Sequence, residues 1–368
     1  FCVGNITYQR TIENLNVLDH EYYFRLIDDC LEVKITECML TLNEVLTKGF
    51  EGQYFITGLS SHLRNLLALG QTEIVLLRSG RSTLPTDEIA GLPVEHSLDA
   101  ALAHRPEAVF VATPTALHMD VAIPAAAAGC HLFLEKPIDA DTTRVPELRA
   151  ALAHGGGQVL VGFQYRFHPG LRKVRSLLAQ NAIGRVVSAR AQWGEYLPGW
   201  HPWEDYRQGY AARADLGGGV VRTLCHPLDY LRWLMGEVTA VRALTDQLGG
   251  LEIEVEDTAE IALRFESGAL GSVHLNYLQR PGVHRLEIIG AEGTIQWDNA
   301  DGSVRIYRAA ASQWEVFLAP EGFERNALFL DQTRHFIDVV QGRAAPRCTL
   351  DDGVRALELV QTVLDSRG

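Results

Sequence analysis

The chain has 368 residues and a formal net charge of −13, with 47% of residues apolar and 21% charged. That length accommodates two domains with cores of their own, and the composition is that of an ordinary globular protein. So acidic a surface is not drawn to nucleic acid or to an anionic membrane, and neither is expected as a partner.

Six cysteines, Cys2, Cys30, Cys38, Cys130, Cys225 and Cys348, are scattered, with no CxxC pair and no Cys/His cluster at metal-ligand spacing. Reduced thiols, a cytoplasmic location and no metal centre are the expectation. No apolar run reaches transmembrane length, and residues 1–30 lack the charged-then-apolar layout of an export signal. Asn5-Ile6-Thr7 matches a glycosylation sequon that, without export, has no use. The chain opens on Phe1, so a natural start further upstream is expected.

Residues 1–70 read as helices. Tyr23, Leu26, Ile27, Cys30 and Leu31 fall on one helical stripe that Asp19 can cap. Ile35, Met39, Leu42, Val45 and Leu46 form a second stripe, closed by Lys48-Gly49. Phe55, Leu59, Leu63, Leu66 and Leu67 form a third, ending at Gly70.

From Thr72 the texture changes. Residues 73–77, 108–112, 131–135 and 158–162 are short apolar runs rich in β-branched residues, separated by Ala-rich stretches of helical length such as 117–129. That alternation predicts right-handed crossovers and a mostly parallel sheet. After about residue 185, the runs 186–196, 257–280 and 284–299 alternate apolar and polar residues around Ser-Gly and Glu-Gly turns. They predict an antiparallel sheet with one face covered by helices, which 224–236, 327–342 and 351–366 supply.

The strand ends carry the chemistry. Residues 108–112 lead into Thr113-Pro114-Thr115, and ligands of open α/β sheets bind beyond the strands' carboxyl ends. A strand exit punctuated by proline is the plainer alternative. Residues 131–134 lead into Glu135-Lys136-Pro137, where a lysine could hold a substrate hydroxyl or a cofactor ribose, or be a surface lysine.

Taken in order, AVFVATPTALH, HLFLEKP and VGFQYRFHP resemble the glucose-fructose oxidoreductase/inositol dehydrogenase (Gfo/Idh/MocA) family over roughly residues 62–368. The resemblance implies a Rossmann-like parallel sheet, an α+β domain on an open antiparallel sheet, a bound NADP or NAD, and oxidoreduction of a hydroxyl on a sugar or cyclitol. It places Thr113, Pro114, Thr115, His118, Glu135, Lys136, Pro137 and Gln164 at the cofactor, and Tyr165 and Arg166 at the substrate. DLGGGVVRTLCHPLDYLRWLMG resembles the family's glycine-rich approach to its active-site helix. His226 then takes the catalytic position beside Lys136, since imidazole titrates near neutrality. Asp229, one turn on, is expected to orient it and to reach substrate. The alternative is a core histidine capping its own helix. The chain departs from the family at Arg222, where many members carry an aspartate.

LPGWHPWEDYRQGY gathers Trp200, His201, Trp203, Glu204, Asp205, Tyr206, Arg207 and Tyr210. Aromatic faces and forked donors suit a sugar ring; an aromatic loop at a subunit interface suits them equally. The segment resembles a subset of the family associated with surface-polysaccharide and nonulosonate sugars. From this stretch Trp200, His201, Trp203, Asp205, Tyr206 and Arg207 are expected at the substrate. At the end of the 73–77 strand, Arg78, Ser79, Arg81 and Ser82 stand where an acid would hold a ribose 2′-hydroxyl. Two guanidinium groups favour a 2′-phosphate, hence NADP, unless they are solvated loop arginines.

No G-x-G-x-x-G precedes the 73–77 strand, so the sheet is expected to lack its first strand and glycine turn. Residues 4–67 instead resemble a helical region of the bacterial DNA polymerase III gamma/tau clamp-loader subunit. The shared string GLSSHLRNLL reads as the seam of a fusion. The expected organisation is an all-α segment at 1–57, a truncated Rossmann-like domain at 58–138, a substrate and oligomerisation domain at 139–345, and a closing helix at 346–368. The expected function is a sugar-type NAD(P)-dependent oxidoreductase impaired by the missing loop, forming a homo-oligomer through the C-terminal sheet. The rival is a non-catalytic fusion of a clamp-loader fragment with a disabled oxidoreductase body. No ATPase is expected, because no P-loop is present.

Overall fold

The structure, a computed structural model, describes residues 74–78, 92–201 and 204–366. The helices expected before Gly70, the seam, and Ser79, Arg81, Ser82 and Trp203 lie outside the described residues. What is described falls into two compact units, divided between His104 and Arg105.

In the first unit β1 (Leu76–Leu77) pairs in parallel with β2 (Val94–Glu95). Helix α1 (Leu98–Ala103) follows, started by the Ser97 hydroxyl, which accepts from the amide of Ala100.

The second unit opens with β3 (Ala108–Val111), α2 (His118–Ala127), β4 (His131–Leu134), α3 (Val145–Gly155) and β5 (Val159–Val161). The three strands lie side by side in that order, all parallel. Their apolar side chains fill the layer beneath the helices. Phe110 stacks on Phe133 at 4.9 Å, and both meet the edge of Phe336.

The chain continues through α4 (Pro169–Ala179), β6 (Val186–Tyr196), α5 (Val220–Thr223) and α6 (His226–Met235). Strands β7 (Val238–Asp246), β8 (Thr258–Phe265), β9 (Leu270–Asn276) and β10 (Leu278–Gly290) follow. Then come β11 (Gly293–Asp298), β12 (Val304–Arg308), β13 (Gln313–Phe317), α7 (Arg325–Val340) and α8 (Leu350–Asp365). Strands β6 to β13 form one sheet in the order β13-β12-β11-β10-β6-β9-β8-β7.

That sheet is antiparallel as expected except for one pair: β6 and β9 run parallel. The cause is topological. The chain leaves β6 for the helical stretch, re-enters at the far edge with β7, and meanders back until β9 lies beside β6. Alternation sets the register. On β8, Ala259, Ile261, Leu263 and Phe265 are buried while Glu260 and Arg264 point away. Helices α4, α6 and α8 pack on the buried face. No described helix is long and apolar enough to cross a membrane.

Candidate active site

Because β3, β4 and β5 are parallel, their carboxyl ends open on one edge of the sheet. Thr113-Pro114-Thr115, Glu135-Lys136-Pro137 and the tight turn Gln164–Phe167 therefore gather there. His118 fastens the first two loops: its Nε2 lies 2.8 Å from the carbonyl of Thr113 and its Nδ1 3.0 Å from that of Pro137. Burial pushes the ring down to about 4, so it is neutral and donates through one nitrogen only. Expected at the cofactor, His118 is instead 1% exposed and spends its polar atoms on the loops. It positions them.

Lys136 reaches across to the second layer, where its Nζ donates to the carbonyl of Thr223 over 2.7 Å. The Glu135 carboxylate accepts from the Lys136 amide at 3.1 Å. Burial raises that carboxyl and the lysine's charge opposes the rise. Thr223 ends the one-turn helix α5, which the glycine run 217–219 introduces. At Gly217, φ is +79° and an added Cβ would stand 2.9 Å from the Cβ of Thr115. At Gly219, φ is +109° and a Cβ would stand 2.3 Å from the Oε1 of Glu256. Only glycine permits both the conformation and the approach.

His226 begins α6, three residues after Thr223. It is 1% exposed, and its Nδ1 has no hydrogen-bond partner among the described residues. Tyr165 meets it edge-on at 5.0 Å, Phe163 at 5.5 Å, and Trp193 lies tilted at 5.4 Å. Burial first, and the charge of Lys136 second, hold it well below the usual histidine range. The imidazole is therefore neutral, with Nδ1 left open as an acceptor or donor. Burial likewise pushes the Tyr165 hydroxyl up to about 12.

Asp229 does not orient His226. Its two oxygens accept from Nε and Nη2 of Arg166 at 3.0 and 2.7 Å, and both side chains are buried. Arg166 also donates to the carbonyl of Arg347 and pairs with Asp352, which Arg232 engages in turn. Arg166 and Asp229, both expected at the substrate, are paired with each other here, as a buried charge requires.

The aromatic segment divides. Trp200 meets Tyr277 edge-on at 5.6 Å, and its indole nitrogen is buried without a partner among the described residues. His201 is half-buried beside it in sequence. Asp205 accepts a fork of bonds from Arg207, which also binds Glu252, whose amide donates to the Tyr206 hydroxyl. Asp205, Tyr206 and Arg207 thus tie the segment to the loop before β8. Arg78 belongs to the first unit, its amide donating to the carbonyl of Glu95. Arg222, at the departure from the family pattern, donates to the carbonyls of Ala140 and Gly218 at 3.3 and 3.4 Å.

Residues not expected at the site also surround it. Tyr210 keeps 39% exposure, yet burial raises its hydroxyl and the charges of Lys136 and Glu135 both act on it. Trp193 and His284 stack face to face at 4.3 Å and wall off His226. Tyr210 belongs to the aromatic segment already singled out, whereas nothing local in the sequence marks Trp193 and His284, which strand pairing brings together.

Residues 49–163 match the model of the oxidoreductase family's NAD-binding Rossmann fold, and residues 171–296 match the Gfo/Idh/MocA C-terminal domain. The chain is 31% identical over 275 residues to "Uncharacterized oxidoreductase YrbE" of Bacillus subtilis (strain 168), covering 72% of this chain and 77% of that protein. It is 27% identical over 286 residues to the 1,5-anhydro-D-fructose reductase of Ensifer adhaerens, covering 76% and 79%. Its fold superposes on a levoglucosan dehydrogenase in complex with NADH and levoglucosan with a TM-score of 0.70, at 21% identity, over 80% and 88% of the two chains.

The chain belongs to the Gfo/Idh/MocA family of NAD(P)-dependent oxidoreductases. Its Rossmann match begins at residue 49 and so takes in the stretch read as a seam.

Proposed function

We propose that this chain transfers hydride between NAD(P) and a hydroxyl-bearing carbon of a sugar or sugar-derived substrate, with Lys136 and His226 as its catalytic pair. The observation that carries the reading is the contact of Lys136 Nζ with the Thr223 carbonyl, which brings the lysine to the start of the helix bearing His226. The site's residues fit a dinucleotide. Thr113, Pro114, Thr115, Glu135, Pro137 and Gln164 line the exits of three adjacent parallel strands, and Gly217 leaves room against Thr115. Nicotinamide, when bound, supplies the hydride acceptor or donor. The chain's part is to hold the substrate hydroxyl and move its proton. Lys136 donates to that oxygen, and neutral His226 accepts the proton at a ring nitrogen. Trp200 offers aromatic surface to the sugar, and Tyr165, buried at 2% exposure, backs His226.

The sugar class draws support from relatives named as a 1,5-anhydro-D-fructose reductase and a levoglucosan dehydrogenase. The cofactor preferred is NADP, on the strength of Arg78, Ser79, Arg81 and Ser82. We assign the dinucleotide half to 58–138, the substrate half to 139–345 and the closing helix to 346–368. Homo-oligomers form through the outward face of the large sheet, where Glu260, Ala262 and Arg264 of β8 are exposed. We assign residues 1–57 to a clamp-loader-like piece, and propose that the missing glycine loop weakens cofactor binding. A non-catalytic fusion is the second reading, favoured by that same missing loop. Mixing the full-length protein with a panel of sugars and NADP or NAD, and with their keto derivatives and NADPH or NADH, while following nicotinamide fluorescence, separates the two. Reduction of the oxidised cofactor or oxidation of the reduced one supports the enzyme, and the absence of both with every substrate supports the second reading.

A further inference from the structure

We infer that Glu256 is a positioning residue for the Lys136–His226 pair, an inference that rests on the oxidoreductase reading above. The geometry is a clamp on α5. Glu256 lies just before β8 and is 5% exposed. Its backbone carbonyl accepts from the amide of Val220 at 3.0 Å, and its carboxylate Oε1 accepts from the amide of Val221 at 3.3 Å. Those amides are among the unsatisfied donors that any helix start leaves open. A carboxylate is suited to them because it is charged and accepts at both oxygens.

The fit is close, since the backbone of Gly219 passes so near the carboxylate that a Cβ there would fall 2.3 Å from it. The far end of the same single turn is Thr223, whose carbonyl takes the Lys136 ammonium at 2.7 Å. His226 follows two residues beyond Leu224, with Cys225 as its helix cap. Glu256 therefore sets the height and tilt of the turn that holds the lysine and launches the histidine. The strand that follows it is anchored in the core by Ala259, Ile261 and Leu263, so the clamp is fastened to the buried face of the large sheet.

The test uses the full chain and variants Glu256→Ala, Glu256→Gln and Gly219→Ala. Val273→Ala is the control, a core truncation on the neighbouring strand β9 that lowers stability and leaves Glu256 and its two contacts to the turn in place. Lys136 acylation by acetic anhydride and hydrogen exchange of peptides covering 219–226 are followed by mass spectrometry. Glu256→Ala and Gly219→Ala are expected to raise Lys136 labelling by about tenfold, the order that one charge-assisted hydrogen bond supports. Exchange should rise in 219–226 and nowhere else. Glu256→Gln, which keeps an acceptor, should recover part of the effect, and Val273→Ala should leave Lys136 labelling unchanged. Where turnover is measurable, kcat should fall with KM held. Unchanged labelling in Glu256→Ala, or an equal rise in Val273→Ala, overturns the inference. A wild-type protein that oxidises or reduces no sugar sinks the oxidoreductase reading instead, and leaves labelling and exchange to decide the role of Glu256.

Discussion

Arg166 and Asp229 are joined by two parallel hydrogen bonds, with side chains only 3% and 1% exposed and 63 positions apart in sequence. The pair links the turn after β5 to the helix that starts at His226, and through Asp352 it reaches the closing helix α8. It stands behind the site as a brace.

A brace and a sugar ligand give opposite results on truncation. Arg166→Met leaves a carboxylate buried and unpaired, which is expected to cost about 3–5 kcal/mol of stability. In a unit of this size, that lowers Tm by roughly 10 °C. Arg166→Met combined with Asp229→Leu should recover most of the loss, since it removes both charges. Calorimetry on the three proteins checks this. A raised KM for sugar with an unchanged Tm would return Arg166 to the substrate.

Lys136 and His226 should behave as chemistry and not as scaffold. Lys136→Ala and His226→Ala are each expected to lower kcat by roughly 10²- to 10⁴-fold, the usual worth of a placed acid or base. Cofactor affinity should stay near the unmutated value, because both groups act where charge develops in the transition state. Turnover by His226→Ala at the unmutated rate would remove it from the mechanism.

Acid should loosen this fold through its buried histidines. Burial pushes His118 and His168 down to about 4, and holds His226 and His284 well below their ordinary value. Neutral in the native state, these rings take up protons near 6.5 once unfolded. Their stabilising effect is therefore complete above about 6.5, and is lost as pH falls from there toward 4. Asp139, raised by burial to about 6, works the other way below that pH, since the native state holds its proton more firmly. Burial raises Glu135, Asp229 and Glu324 in the same sense as Asp139. But His335 is also lowered, and Asp141, Asp301 and Asp352 are held low by their partners, so Tm is expected to fall with acidification. His168→Asn isolates one contribution. The His168 Nδ1 accepts from the amide of Gly170 at the start of α4, a cap that asparagine can supply without titrating. Thermal melts across this range should show a shallower pH dependence in the variant, and an identical slope would count against the argument.

Much of the scaffold was legible because it obeys short periods. The runs at 108–112, 131–135 and 158–162 became β3, β4 and β5 within a residue at each end, and their exits carried Thr113, Lys136 and Gln164 to one edge. Alternation gave β8 its buried face. What could not be read depends on chain reversals. The parallel pairing of β6 with β9 follows from the route between them, and no local pattern records a route. The same limit hid the partner of Asp229. An acid one turn from a histidine looks like its orienter, until a guanidinium from another element occupies both oxygens. Asp205 and Arg207, two positions apart, bond to each other, a pairing that the composition of the segment did not single out.

The phosphate end of the cofactor gives the last prediction. A glycine turn lets backbone amides and a helix start approach a pyrophosphate, and no G-x-G-x-x-G occurs before residue 73. Losing two or three charge-assisted hydrogen bonds of roughly 1.5–3 kcal/mol each weakens binding by several orders of magnitude. Replacing residues 1–61 with a strand and glycine turn of the family type should tighten NADP and NAD together, as read by titration calorimetry. In that background Arg81→Ala should weaken NADP far more than NAD, because a guanidinium answers the 2′-phosphate that only NADP carries. Micromolar binding by the unaltered chain would mean that Ser60, Ser61 or their neighbours already perform the loop's task. An equal loss of both cofactors in Arg81→Ala would place that arginine on the shared pyrophosphate, and the preference for NADP would fall with it.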